Sequence, residues 1–259
     1  MLGVSTVRQL GKYRMIVQIY EIQTPAEAEQ CIEAGVDHVG SVLLSEKPWR
    51  QRVLRETFSV SRGTDAKSSL ISLSQEVDTL YSALDYYQPD YIHFCENLTD
   101  NHGGEMDLEK YVDLQMGLKE RFPEVAIIRS IPVPVKDAAP KYPTLKIAQK
   151  MEPASDVFLT DTWLERGPVE GFIGITGRPC DWKRARELVL QSKIPVILAG
   201  GLSPDNVYEG LVAVGPAGAD SCTQTNKRDK GGNPIRFEKD FERVKRFVQE
   251  VRRAEDLSE

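Results

Sequence analysis

The chain has 259 residues, 41% of them hydrophobic and 28% charged, with a formal net charge of −6 and a pI near 5.3. That is enough apolar material for one large core, and the dispersed basic residues give no nucleic-acid footprint. No apolar run approaches the roughly 18 residues that span a membrane, no signal-like segment opens the chain, and the four cysteines (Cys31, Cys95, Cys180, Cys222) lack CxxC spacing. A reduced, cytoplasmic setting is expected.

Residues 1–14 are polar and irregular and read as a short N-terminal extension. Residues 15–22 alternate apolar and polar and predict the first strand. Thr24-Pro25-Ala26-Glu27 is a helix start, with a capping threonine, proline at the first position and an acid at the third. The helix should end at Ala34, with Gly35 as its C-terminal cap, before a second strand over 36–44. Strand three follows at 68–73, a helix at 77–87 and strand four at 91–94. A polar loop over 97–104 leads into an amphipathic helix at 108–121 and strand five at 125–130. The proline-rich stretch 132–143 predicts a long loop, followed by a short helix to 151 and strand six at 156–159. A loop over 163–172 precedes a helix at 181–191.

The most informative stretch is Ile194 to Val207. Val196 to Ala199 is a continuous apolar run, expected of a parallel strand covered on both faces. Gly200 and Gly201 let a ligand approach the backbone, and Ser203 or Asp205 can cap a helix over 207–214. Unpaired N–H groups at such a turn favour an anion such as phosphate. Strand eight is expected at 219–222, a charged glycine loop at 226–233 and a long helix at 240–253, with 254–259 frayed. Eight strands alternating with helices, with no linker, predict one (β/α)8 TIM barrel over 15–259.

Three segments, in order, carry a family resemblance. They are Glu33-Ala34-Gly35-Val36-Asp37-His38-Val39-Gly40, then Gly174-Ile175-Thr176-Gly177 with Asp181-Trp182, then Leu198-Ala199-Gly200-Gly201-Leu202-Ser203-Pro204-Asp205-Asn206-Val207. Together the chain resembles the phosphoribosylanthranilate isomerases of tryptophan biosynthesis. The resemblance implies a phosphate site on backbone amides after strands six to eight, carried by Gly174, Thr176, Gly177, Gly200, Gly201, Cys222 and Thr223. It implies an Amadori rearrangement of an aminosugar phosphate, with Asp161 at the general-acid position. It calls for no cofactor or metal, and a homodimer is compatible with it.

The departures cluster at strand ends, where a barrel keeps its chemistry. In place of the K-x-C-G motif of strand one stand Gln18-Ile19-Tyr20-Glu21, so Tyr20 takes the position of the cysteine base. Tyrosine has an ordinary pKa near 10 against about 8.5 for cysteine, a poor base at neutral pH. Strand alternation points Glu21 away from the side Tyr20 faces. His93-Phe94-Cys95-Glu96 and Cys222-Thr223-Gln224-Thr225-Asn226 replace the family's strand-four and strand-eight motifs. Arg50 is the candidate for the carboxylate-binding arginine after strand two, and Cys95 or Cys222 could supply a relocated base. His93, Cys95, Glu96, His102 and Glu105 have metal-ligand chemistry but match no zinc spacing, and read as a solvated loop. Trp163 could stack on a substrate ring or pack a lid. Two readings follow: a phosphosugar isomerase, or a divergent relative that binds a phosphorylated metabolite with another reaction or none.

Overall fold

The computed structural model describes residues 14–44, 48–73, 76–100, 102–138 and 141–256. The expected extension therefore lies, but for Arg14, outside the described residues. Eight parallel strands close into a barrel in sequence order: β1 (Ile16–Ile19), β2 (His38–Leu43), β3 (Lys67–Ser72), β4 (Tyr91–Phe94), β5 (Ala126–Pro134), β6 (Val157–Trp163), β7 (Val196–Leu198) and β8 (Gly218–Ser221). β1 pairs with β8 to shut the ring. The helices α1 (Pro25–Glu33), α2 (Arg52–Val60), α3 (Val77–Tyr87), α4 (Glu109–Arg121), α5 (Thr144–Met151), α6 (Trp182–Gln191), α7 (Val207–Val214) and α8 (Phe241–Glu255) surround it. This is the expected (β/α)8 barrel.

Local chemistry explains most boundaries. Thr24 caps α1 through the capping box with Glu27, and Gly35 takes φ +90° just past the helix end. Asp181 caps α6, and Asp240 accepts from two amides at the start of α8. At α7 the outcome differs from expectation, because no side chain caps the helix. Ser203 and Asn206 bond each other's neighbourhood instead, and Asp205 pairs with Arg246 on α8.

Other boundaries move as well. α2, which carries no start signal, fills the β2–β3 connection. β5 runs through Pro132 to Pro134, where a loop was expected. Pairing with β4 stops at Arg129, so the prolines there leave no β4 carbonyl without a donor. The glycine loop after β8 is an antiparallel hairpin of β9 (Asn226–Arg228) and β10 (Pro234–Lys239). α8 extends to Glu255, held by the Arg252–Glu255 pair, so of the expected frayed tail Ala254 and Glu255 are helical.

Two kinds of core result. The apolar faces of the helices pack on the outward residues of the strands. Inside the barrel, Ile128, Val157, Leu159, Ile197 and Ala199 plug the middle. Above that plug the inward positions turn polar: Gln18, Tyr20, Ser69, His93, Ser130, Asp161 and Asp220. The plug sets the floor of the site.

Candidate active site

A pocket of about 830 Å3, open to solvent, occupies the C-terminal mouth. Its side toward β7 and β8 is made of backbone. Gly177, Gly200, Gly201, Cys222 and Thr223 line it, and none of their amides donates a hydrogen bond to another described residue. Unpaired amides gathered at one wall have the chemistry of an anion cradle. Gly200 and Gly201 have φ of +91° and +60°. A Cβ on Gly200 would fall 2.3 Å from Thr162 Oγ1, and one on Gly201 2.3 Å from the Arg178 carbonyl carbon. The glycines are therefore required by packing of the mouth segments as well as by access to the pocket. Gln224 ties the cradle together by donating to the Gly177 carbonyl at 2.9 Å. Thr176 lines the pocket too. Gly174 stands behind it, where a Cβ would meet Asp161 Oδ2 at 2.3 Å.

Tyr20 ends the first strand facing inward, its ring lying against Gly40, where any Cβ would collide with it. Its hydroxyl bonds Ser69 Oγ at 2.6 Å and His93 Nδ1 at 2.8 Å, and His93 Nε2 bonds Ser130 Oγ at 2.8 Å. Burial pushes the phenol well above its ordinary value. Burial also takes His93 down to about 3, so the imidazole is neutral with both nitrogens engaged. Tyr20 thus lines the pocket as a protonated hydrogen-bonded phenol and is no proton acceptor at neutral pH.

Glu21 departs from the expected alternation. Its φ is +66°, which breaks the strand and turns the carboxylate into the mouth. There it accepts from Asn226 Nδ2 and Arg236 Nε, each at 2.8 Å, and from the Phe237 amide. Burial would raise its pKa, but Lys239, Asn226 and Arg236 outweigh that and hold it below the usual value. Arg236 is the one cation among the described residues that line the pocket.

Two acids behave in the opposite way. Asp161 on β6 and Asp220 on β8 both line the pocket, and burial raises each to about 7. Asp161 Oδ1 accepts from the Thr162 amide at 2.9 Å, and Asp220 Oδ1 accepts from Gln18 Nε2 at 3.1 Å. The second oxygen of each takes no hydrogen bond from a described residue. A poised acid pair can both give and take a proton near neutrality. Asp220 was missed in the sequence, although it shares the inward parity of Cys222 two residues on.

The remaining candidates separate. Arg50 lies over the Tyr86 ring at 5.0 Å and does not line the pocket, so the carboxylate-binding position expected of it is not supported by its placement. Cys95 and Cys222 line the pocket, but desolvation raises both thiols far above neutrality. Trp163 packs on Tyr142 with ring centroids 4.6 Å apart, outside the pocket. Glu96 is bound to Arg129, Glu105 to Lys146, and His102 faces Glu165. Among the described residues no group of three or more His, Cys, Asp or Glu could hold a metal ion.

A family model described as N-(5'phosphoribosyl)anthranilate (PRA) isomerase matches residues 18–250. The chain belongs to this family. Among PRA isomerase family members, the N-(5'-phosphoribosyl)anthranilate isomerase of Methanosarcina acetivorans is 29% identical over 131 residues, 50% of this chain and 52% of that protein. The chain thus spans about half the length of that relative. The N-(5'-phosphoribosyl)anthranilate isomerase 1 of Methanosarcina mazei is 24% identical over 91% of this chain and 94% of its own. The crystal structure of phosphoribosyl anthranilate isomerase from Thermotoga maritima superposes with a TM-score of 0.66 at 20% identity, covering 92% of this chain and 98% of that one. It shares the PRA isomerase barrel fold.

Proposed function

We propose that the protein is an isomerase acting on phosphoribosylanthranilate, or on a close aminosugar phosphate, by an Amadori rearrangement within tryptophan biosynthesis. The observation that carries this reading is the pairing of an unpaired-amide cradle with a poised carboxyl group in one pocket. The amides of Gly177, Gly200, Gly201, Cys222 and Thr223 would hold the phosphate. Asp161, protonated in part near neutrality, would give its proton to the ring oxygen as the sugar opens. Arg236, ion-paired to Glu21 at the rim, is the available partner for a second anionic group of the substrate. Membership of the PRA isomerase family supports the choice of substrate.

The four cysteines carry no disulfide, which fits a reduced cytoplasmic setting. The exposed large apolar residues Val53, Val77, Met116, Leu190 and Val212 lie on separate helices, so the site is proposed to be complete within one chain.

A second reading is favoured by one feature, the protonated Tyr20 at the position of the family's base. In that reading the pocket binds a phosphorylated metabolite and leaves it unchanged. Turnover of phosphoribosylanthranilate, followed by fluorescence with Asp161→Ala as control, separates the two. The isomerase reading expects turnover that vanishes in the variant. Stabilisation by inorganic phosphate without turnover would support the second reading.

A further inference from the structure

The family rearrangement needs a base for the C2 proton, and the usual cysteine is absent. Apart from the cation Arg236, seven titratable groups among the described residues line the pocket: Tyr20, Glu21, His93, Cys95, Asp161, Asp220 and Cys222. Tyr20 and His93 are locked to each other and to Ser69 and Ser130. Cys95 and Cys222 are protonated thiols. Both oxygens of Glu21 are occupied, by Arg236, Asn226 and the Phe237 amide. Asp161 is engaged as the acid. Asp220 is the group left over, and its Oδ2 takes no bond from a described residue.

The register supports the same residue. Leu159 pairs with Ile197, which pairs with Gly218. Two residues further along each strand come Asp161, Ala199 and Asp220, so the two acids lie in one layer of the barrel, two strand spacings or roughly 10 Å apart at the backbone. Asp220 also pairs across the barrel seam with Gln18, whose amide donates to it and whose carbonyl oxygen bonds His38 Nδ1. Gln18 occupies the lysine position of the strand-one motif. A lysine there would place an ammonium beside the Asp220 carboxylate and weaken it as a base. The cysteine and that cation are thus both replaced at the end of one strand, at Tyr20 and Gln18, two residues apart.

We infer that Asp220 is the general base of this enzyme, working with Asp161 as an acid–base pair in place of the cysteine at the end of strand one. The inference rests on the isomerase reading above. Asp161 gives a proton to the ring oxygen as the C1–O bond breaks and the nitrogen lone pair forms C1=N. Asp220 takes the C2 proton; the C–H pair forms C1=C2 and the C1=N pair returns to nitrogen. The resulting enol-amine becomes the ketose as C1 regains a proton and the C2 hydroxyl loses one. Nothing is oxidised or reduced overall. The charges facing Asp220 are Asp161 from β6, which favours its protonated form, and Lys239 from β10, which opposes it. Tyr20 from β1 and Cys222 beyond β8 face it as neutral groups.

The test uses the full chain, phosphoribosylanthranilate and its C2-deuterated form, with Asp220→Asn, Gln18→Lys and Asp161→Asn. Wild type should turn over and show a primary isotope effect on deuteration. Asp220→Asn should lower kcat by about 100-fold or more while KM and the thermal shift given by inorganic phosphate stay near wild type. Gln18→Lys should move the acidic limb of kcat/KM to lower pH and reduce kcat, which a purely structural role for Asp220 would not produce. If Asp220→Asn does not fold, the Gln18→Lys profile decides alone. An Asp220→Asn enzyme with kcat close to wild type, or an unmoved acidic limb in Gln18→Lys, would overturn the inference while leaving the isomerase reading intact. A wild type that binds phosphate but shows no turnover would remove that reading, and the role of Asp220 with it.

Discussion

The N-terminal end of the barrel and the acid pair at its mouth treat carboxyl groups in opposite ways, while Glu21, also at the mouth, is saturated and held below its usual pKa. At the N-terminal end three half-buried carboxylates, Asp37, Asp90 and Asp156, have both oxygens occupied. Asp37 accepts from the Val17 amide at 2.8 Å and pairs with Arg252 at 2.6 Å. Asp156 accepts from the Ile127 amide at 2.8 Å and pairs with Lys119 at 2.7 Å. Asp90 is desolvated, yet the Ser68 amide and hydroxyl, with Lys67, hold it below its usual pKa. At the mouth, Asp161 and Asp220 each keep one oxygen without a partner among the described residues, and burial raises both to about 7. A saturated carboxylate fastens strands; an under-satisfied one stores reactivity at the expense of stability. The contrast locates stability and chemistry at opposite ends of the same strands.

The sharpest way to break the contrast is to remove a mouth acid. Asp161→Ala should lower kcat by about 100- to 10,000-fold, measured by the fluorescence assay, with the melting temperature close to wild type. A loss below about tenfold would show that the acid is elsewhere. Next in size is Gly201→Ala. A side chain at φ +60° against the Arg178 carbonyl carbon should cost about 2 kcal/mol or more and abolish the thermal shift produced by phosphate. An unchanged phosphate shift would count against the amide cradle. At the other end, Asp37→Ala should cost about 1–3 kcal/mol in denaturant unfolding, with kcat of the folded fraction unchanged. A large fall in kcat would mean that the two ends are not separable.

The smallest effect is a pH dependence of stability. An acid whose folded pKa is raised destabilises the fold as it ionises, so stability falls as pH rises from near 4 through about 7. Asp220→Asn removes that term. At pH 8 the variant should melt at least a few degrees above wild type, and the gain should shrink as the pH falls and disappear below about 4. A stability difference independent of pH would contradict the raised value.

The barrel itself was legible in the sequence because its signals are local. Apolar runs such as Val196 to Ala199, and caps such as Thr24 and Asp181, specify strands and helix starts without reference to distant residues. The phosphate corner was legible for a related reason, since its glycines mark φ values that other residues avoid. What stayed hidden depends on partners far apart in the chain. Glu21 could be expected to point outward, and only its φ of +66° and its bonds to Arg236 and Asn226, more than 200 residues away, bring it into the mouth. Asp220 looked like an ordinary strand residue because its character comes first from burial inside the closed barrel, and then from Gln18 and Asp161 beside it. The hairpin of β9 and β10 was hidden by a polar, glycine-containing stretch that reads as a loop, since its pairing is short and irregular. α2 lacks a capping side chain, so nothing at Gln51 announces its start.

The most direct test of the claim that an under-satisfied acid pair does the chemistry is the pH profile of kcat/KM for phosphoribosylanthranilate. The account predicts a narrow bell with both limbs near pH 7, the acidic limb from the base and the alkaline limb from the acid, belonging to the pair as a unit. A rate that keeps rising with pH beyond about 9, as a phenol or thiol base would give, would contradict it.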